Sequence, residues 1–191
     1  MPLVNDEVIF IHNIKTGGTY LRACIDGKEV GNGHETAQQS KSFIESKAWN
    51  NRFKFAVVRN PYDLMLSLYH YFRKEKWHPN ANSANGSFSE FLNIYANTLH
   101  GKGVYLQQFD KVSENGKIIL DKVYRYEDWN EMTKELSDKF GYKFKAERIN
   151  SSDRDVNDIK KSYVNKDVQI VNHLFEKDFS GFGYEKMFHL I

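Results

Sequence analysis

Two short stretches of the chain combine residue types that bind anions, and the first follows an apolar run at residues 8–14. This run passes into Lys-Thr-Gly-Gly-Thr at residues 15–19 and then into a helix-forming pattern. Glycines permit positive φ angles and close approach of the backbone to a ligand, and N–H groups at a helix start point toward an anion. Lys15 adds a mobile positive charge. The pattern therefore predicts a phosphate-binding turn.

This turn differs from the two common nucleotide-binding patterns. Its lysine precedes the glycines, whereas the usual loop has Gly, four residues and then Gly-Lys-Ser/Thr, and Gly-x-Gly-x-x-Gly does not occur here. Glycine is also common in ordinary turns. The residues alone are thus also compatible with a plain strand-to-helix connection. A second anion site is needed to choose between this alternative and a phosphate-binding turn.

The second stretch is a strand-like run at residues 53–58 that continues into Arg-Asn-Pro. Asn60 is a good N-cap and Pro61 suits the first helical position, so Arg59 is expected at the carboxyl end of a strand and Ser67 two turns along a helix. An arginine can bind phosphate as a fork, and open α/β sheets bind ligands at the carboxyl ends of their strands. The alternative is a capped surface helix preceded by an arginine without function.

Together the two stretches resemble the sulfotransferases that use 3′-phosphoadenosine 5′-phosphosulfate (PAPS), above all the carbohydrate-type branch related to heparan sulfate 2-O-sulfotransferases. The resemblance implies that Arg59 and Ser67 bind the 3′-phosphate of this cofactor. Ile14 stands where the family has proline, which leaves the donors of the loop in place. The resemblance also implies that the first loop binds the 5′-phosphosulfate, through Lys15, Thr16, Gly17, Gly18, Thr19 and Tyr20.

Two further segments are similar to elements of this family. A glycine-flanked histidine, His34, matches the position of the family's general base, and histidine suits the removal of a proton from a hydroxyl nucleophile. Glu35 competes for this role, and a loop histidine without function is the remaining alternative. The segment at residues 148–152 is similar to an element near the adenosine, which implies cofactor contacts from Ser151 and Ser152.

The predicted reaction is in-line transfer of a sulfuryl group from PAPS to an acceptor hydroxyl, with 3′-phosphoadenosine 5′-phosphate (PAP) as product. His34 is the predicted base, and Lys15 is predicted to stabilise charge on the leaving group. A carbohydrate acceptor is favoured by resemblance alone, and a lipid, a small alcohol or a protein tyrosine stays open. The alternatives from other classes are a nucleotide-dependent small-molecule kinase and a non-catalytic nucleotide-binding module.

The elements that must position these residues predict an α/β protein. Strands near residues 7–12, 53–58 and 122–126 indicate a mostly parallel central sheet flanked by helices. The resemblance extends this to the P-loop-containing nucleotide-hydrolase-like sulfotransferase fold. No linker or repeat divides the chain, which predicts a single domain over residues 1–191. Later helices are expected at residues 88–99, 130–140 and 166–179.

Composition limits the partners that we expect. The chain has 27 basic and 25 acidic residues without a long basic run, which argues against nucleic acid as a ligand. Scattered histidines and the lone Cys24 predict no metal site. No signal peptide or run of about twenty apolar residues is visible, so we expect no membrane segment and a cytoplasmic protein of prokaryotic or phage origin. The oligomeric state is not indicated.

Overall fold

The computed structural model, which describes residues 1–31, 33–144 and 156–188, contains a five-stranded mixed sheet. Its strand order is β3-β1-β2-β4-β7, and β5 and β6 form a separate hairpin. The strands are β1 Leu3–Val4, β2 Val8–Ile11, β3 Lys28–Glu29, β4 Phe53–Val58, β5 Ser113–Glu114, β6 Lys117–Ile118 and β7 Lys122–Arg125.

The three strands predicted from the sequence are the parallel part of this sheet. β2 pairs with β4 and β4 pairs with β7, with Ile11 opposite Ala56 and Val58 opposite Arg125. Every residue of β2 is buried, as expected for a parallel strand covered on both faces. β1 runs antiparallel to β2 and to β3. Strands of two residues are too short to show alternation, so the sequence did not reveal β1 and β3.

Helices flank the sheet, which confirms the predicted α/β class. In chain order the α-helices of the described residues are α1 Gly18–Cys24, α2 Ala37–Phe43, α3 Ser46–Asn51, α4 Pro61–Lys74, α5 Phe88–Ile94, α6 Gln108–Val112, α7 Trp129–Phe140, α8 Val156–Lys161, α9 Asn165–Leu174 and α10 Glu176–Phe182.

The chain divides into two compact units. The sheet unit comprises Met1–Arg59 and Gln108–Ser151, and the helical unit comprises Asn60–Gln107 and Ser152–Ile191. Whether they act as the single predicted domain stays a prediction. No helix among the described residues combines the length and the apolar character needed to cross a bilayer.

Local signals account for the start of α4. The Asn60 side chain accepts a hydrogen bond of 3.0 Å from the Tyr62 N–H, and Pro61 occupies the first turn of α4, as predicted. The predicted helix at residues 88–99 is α5 followed by a π-helical turn, Tyr95–Leu99. The prediction of one helix at residues 166–179 is wrong, because the chain leaves helical geometry at the buried Phe175 and continues as α10.

The two units have different cores. In the sheet unit, apolar residues of β2 and β4 pack with α1 and α7, around Phe10, Leu21, Phe55 and Leu136. The helical unit is built on aromatic rings, many of them within about 6 Å of one another as favourable ring pairs require. Its buried rings include those of Tyr62, Tyr69, Phe72, Phe91, Tyr95, Tyr163, Phe175 and Phe179.

Candidate active site

The predicted phosphate-binding turn lies between β2 and α1 and has a left-handed backbone at two positions. Gly17, the N-cap of α1, has φ 77° and Lys15 has φ 59°. A left-handed lysine costs about 1–2 kcal/mol relative to the usual conformation, so the surrounding contacts must hold it. The turn therefore has a defined shape that is not the lowest-energy local choice.

Neighbouring rings explain why both glycines of the turn lack a side chain. A Cβ on Gly17 would lie 2.6 Å from Cζ3 of Trp129, and a Cβ on Gly18 would lie 2.0 Å from Cδ2 of His12. Real Cβ atoms do not approach other atoms so closely, because dense packing leaves no room to shift. Glycine at positions 17 and 18 is thus required by the side chains of Trp129, at the start of α7, and His12, which follows β2.

A buried hydroxyl and a buried amide tie the turn to the sheet. The Thr16 Oγ1 donates to the Asn13 carbonyl oxygen at 2.9 Å, and the Asn13 Nδ2 donates to the Val57 carbonyl oxygen of β4 at 2.9 Å. The Thr16 hydroxyl hydrogen is therefore used inside the turn. Asn13 was not identified from the sequence, because nothing in its local pattern shows that it reaches the neighbouring strand.

The remaining predicted residues of the turn have different surroundings. The Thr19 side chain is exposed, whereas the Tyr20 side chain is buried with its ring 5.8 Å from that of Trp129. The Tyr20 N–H donates to the Gly17 carbonyl oxygen at 3.0 Å. The structure thus places Tyr20 in the core of the sheet unit, where its ring positions α1.

Arg59 joins the two predicted anion-binding stretches. Its side chain is only 3% exposed, and its Nη1 donates to the Lys15 carbonyl oxygen at 2.9 Å. Its guanidinium carbon lies 4.2 Å from the centre of the Tyr126 ring, within the range of a cation–π contact. Lys15 and Arg59, 44 residues apart, therefore share one site.

A glutamine on α6 holds the backbone of Arg59 at the end of β4. The Arg59 N–H donates to Gln108 Oε1 at 2.8 Å, and Gln108 Nε2 donates to the Arg59 carbonyl oxygen at 2.8 Å. This reciprocal pair uses both polar ends of the amide. The sequence did not identify Gln108, since a lone glutamine carries no spacing signal.

The predicted base, His34, lies beside the end of β2. Its ring centre is 4.7 Å from that of His12, and its Nδ1 is 3.4 Å from the His12 carbonyl oxygen. Burial, with a smaller contribution from the positive charge of Lys111, lowers the pKa of His34 from 6.5 to about 4. Burial likewise holds the pKa of His12 well below 6.5. Both imidazoles are therefore neutral near neutral pH.

Lys111, on α6, holds the loop that carries His34. Its Nζ donates to the His34 carbonyl oxygen at 3.0 Å. Burial lowers the pKa of Lys111 from 10.5 to about 8, and the negative charge of Glu35 partly opposes this shift. Glu35 itself accepts a hydrogen bond of 2.9 Å from the Gly33 N–H. No sequence signal distinguished Lys111 from the other lysines.

The remaining predicted site residues are three serines. Ser67 is a buried residue of α4 in the helical unit. Ser151 and Ser152 lie outside the described residues. Within the described ranges, no three His, Cys, Asp or Glu side chains are close enough together to hold a metal ion.

Comparison with known proteins places this chain in a family. Mouse sulfotransferase SULT7A1, whose crystal structure is a complex with PAP, matches with a TM-score of 0.50 and 17% identity over 95% of this chain and 84% of that chain. This likeness confirms the predicted fold. Curated protein sequences gave no significant match. The model of the "Sulfotransferase family" matches residues 20–185. The chain therefore belongs to the sulfotransferase family.

Proposed function

We propose that this protein transfers a sulfuryl group from PAPS to an acceptor hydroxyl, on a carbohydrate. Family membership supports sulfuryl transfer. The observation that carries the assignment to particular residues is the hydrogen bond from Arg59 Nη1 to the Lys15 carbonyl oxygen. This bond places the Arg59 guanidinium beside the backbone of the Lys-Thr-Gly-Gly-Thr turn. One ligand with two anionic groups requires such an arrangement.

The turn has the features needed to cradle the 5′-phosphosulfate. The absence of Cβ atoms at Gly17 and Gly18 lets the backbone of the turn pack against Trp129 and His12, where a side chain would clash. We assign the phosphosulfate to the N–H groups of this turn and to the Lys15 ammonium. The SULT7A1 structure, which is a complex with PAP, supports a ligand of this class by analogy.

The 3′-phosphate is assigned to Arg59 and Ser67. A guanidinium has five N–H donors, so Arg59 can bond the Lys15 carbonyl and a phosphate oxygen at the same time. Tyr126 stacks under the guanidinium and restricts its orientation. The assignment of Ser67, and of Ser151 and Ser152 to the adenosine, rests on the motif resemblance.

His34 is the proposed general base. When bound, PAPS supplies the sulfuryl group that the acceptor oxygen receives, and PAP leaves. A His34 Nδ1–H directed at the His12 carbonyl leaves Nε2 with a free lone pair, which accepts the proton of the acceptor hydroxyl. The low pKa keeps this imidazole in the required neutral form. Glu35 is the weaker candidate, because its carboxylate already accepts the Gly33 N–H.

Lys15 is proposed to stabilise the negative charge that develops on the departing phosphate oxygen. A cation placed beforehand does this without reorganisation during the reaction. Lys15 and Arg59 together supply the positive charge that the anionic cofactor needs, so we propose that binding does not require magnesium.

Calorimetry with PAP, AMP and ATP, each with and without magnesium, tests the proposal. We expect a metal-independent preference for PAP over AMP. Arg59→Ala should weaken PAP binding about tenfold to a hundredfold, the range expected for hydrogen bonds to a charged group. Arg52→Ala is the matched control, because this arginine of the sheet unit bonds Asp6 at 3.3 Å.

Other outcomes would redirect the assignment. Equal binding of PAP and AMP by the wild-type protein would remove the 3′-phosphate role of Arg59. Magnesium-dependent preference for ATP would favour a kinase. Tight PAP binding without sulfuryl transfer to any carbohydrate, lipid, alcohol or tyrosine acceptor would favour a non-catalytic binding module. Because Arg59 is buried, Arg59→Lys with a measured melting temperature separates lost contacts from lost folding.

A further inference from the structure

Among the described residues of the sheet unit, Lys111 is the most completely buried cation. Its side chain is 1% exposed, although lysine is almost never fully buried without a partner. Burying an ammonium group costs several kcal/mol unless hydrogen bonds and opposite charge offset the loss of water. A hydrophobic residue at this point of α6 would fold at lower cost, which indicates that the charge or the donor has a task.

The contacts of Lys111 lead to the loop of the proposed base. Its Nζ donates to the His34 carbonyl oxygen at 3.0 Å, across 77 residues of sequence. The next residue, Glu35, supplies the opposing negative charge. Glu35 in turn accepts the Gly33 N–H at 2.9 Å, so one carboxylate and one ammonium group restrain the backbone on both sides of His34.

The described residues of the loop, 31 and 33–36, belong to no helix or strand that would hold His34. Gly31 has φ 85°, and a Cβ there would lie 2.4 Å from Glu35 Oε1. Helix α2 begins only after Thr36, its N-cap. The position of the imidazole against His12 therefore depends on side-chain contacts, and Lys111 reaches the loop from another element.

We propose that Lys111 is a positioning residue for His34: its ammonium group holds the His34 carbonyl and, with Glu35, fixes the loop so that the imidazole faces the acceptor hydroxyl. This inference rests on the proposed function, because it assigns a role relative to the base of that reaction. Lys111 acts through the loop backbone and does not contact the reacting atoms.

The charge of Lys111 has a second consequence. It is the largest electrostatic contribution to the low pKa of His34, after burial, and it keeps the imidazole neutral. The other charged groups that act on His34 are the Met1 amino group and Arg22, which also lower its pKa. His12 faces the imidazole as a buried neutral ring, and Glu35 is adjacent in the chain.

Histidine NMR tests this role without an acceptor substrate. The His34 signal, assigned with His34→Gln, should titrate well below 6.5 in the wild-type protein and show a second inflection near pH 8, where Lys111 loses its proton. An NOE between the His12 and His34 rings, 4.7 Å apart, reports the position of the imidazole.

Two substitutions separate the donor from the charge. Lys111→Met removes the charge and the donor and keeps a side chain of similar length. Lys111→Gln removes the charge but keeps an N–H donor. We expect both to raise the His34 pKa by about one unit and to abolish the inflection near pH 8, since a like charge has been removed. The NOE should weaken in Lys111→Met and persist in Lys111→Gln. Lys41→Met, a partly exposed lysine paired with Glu114, is the control and should change neither signal.

The results distinguish a failure of the Lys111 inference from a failure of the proposed function. Unchanged His34 titration and NOE in folded Lys111→Met would overturn the inference, even if PAP binds. If Lys111→Met does not fold, Lys111→Gln decides the charge effect. An inflection near pH 8 that persists in Lys111→Gln would come from another group and would also count against Lys111. Failure of the wild-type protein to bind PAP would instead overturn the proposed function.

Discussion

The charged side chains buried in the two units have opposite signs. Among the described residues, the sheet unit buries Lys54, Arg59 and Lys111, and the helical unit buries Asp63, Asp167 and Asp178. The three aspartates lie in the first turns of α4, α9 and α10, where a negative charge is stabilised by the helix N-terminus.

The acids of the helical unit have a structural use. Asp167 illustrates it: its Oδ2 accepts from Ser89 Oγ at 2.8 Å and from the Val164 N–H at 3.3 Å, which caps α9 and links it to α5. The negative charge is matched by donors of the unit itself. We conclude that the Asp167 carboxylate defines the start of α9.

The cations of the sheet unit are used differently. Lys54 pairs with Asp121 at 2.8 Å, but Arg59 and Lys111 donate to the backbone carbonyls of Lys15 and His34. These hydrogen bonds orient the two cations toward loop backbone, and Glu35 adds a negative charge near Lys111. The difference between the units teaches that, among the buried charges of the described residues, the acids lie at helix starts, whereas two of the three cations are bonded to loop carbonyls.

The largest expected effect concerns the helical unit. Phe91→Ala should lower its free energy of unfolding by about 3–5 kcal/mol, because the fully buried ring leaves a cavity. Urea denaturation measures this loss. PAP affinity of the folded protein should stay within about twofold, since the removed contacts are aromatic packing without charge. A large loss of PAP affinity would contradict the assignment of structural packing to the helical unit and of anion binding to the sheet unit. The rings around Phe91 belong to Tyr69, Phe72, Phe88 and Tyr95.

Lys15→Ala tests the chemistry of the sheet unit with little effect on folding. We expect turnover to fall about a hundredfold or more, because the leaving phosphate loses a preorganised cation. The free energy of unfolding should change by less than about 1 kcal/mol, since the side chain is only partly buried. Sulfuryl transfer to the acceptor found by screening measures the rate, with the exposed Lys28→Ala as control. Unchanged turnover would remove Lys15 from the mechanism.

The pH dependence of turnover is the test with the smallest expected effect. It depends on groups of the sheet unit alone. His34 must be neutral to accept a proton, and its pKa is lowered to about 4. Turnover should therefore stay level through mildly acidic pH and decline only as the pH approaches this value. A decline centred near 6.5 would show an unperturbed imidazole and contradict the burial of His34.

The same shift affects stability. The unfolded chain takes up a proton on His34 near pH 6.5, whereas the folded chain does so near its lowered pKa of about 4. Between these values the unfolded state binds more protons, so the free energy of unfolding falls as the pH falls through this window. His34→Gln should reduce that dependence in thermal melts.

Much of the fold followed from local rules. The parallel strands were predicted because buried runs of β-branched and aromatic residues alternate with helical patterns, and the start of α4 because Asn and Pro act within one turn. The break at Phe175 was missed, since the surrounding residues continue a helical pattern and tertiary packing decides where the chain turns. The short strands β1 and β3 were missed because their pairing partners, not their residues, define them.

The candidate site likewise has features that the local sequence predicted and features that only tertiary packing decided. Residue types and spacing along the chain determined by themselves that a Lys-Thr-Gly-Gly-Thr turn and an Arg-Asn-Pro segment each end a buried strand, because strand, turn and cap preferences act over a few residues. Only the tertiary structure decided that Arg59 meets Lys15, that Gln108 holds Arg59 and that Lys111 holds His34. These contacts join residues 44 to 77 positions apart, and they depend on the packing of separate strands and helices, which no local pattern encodes.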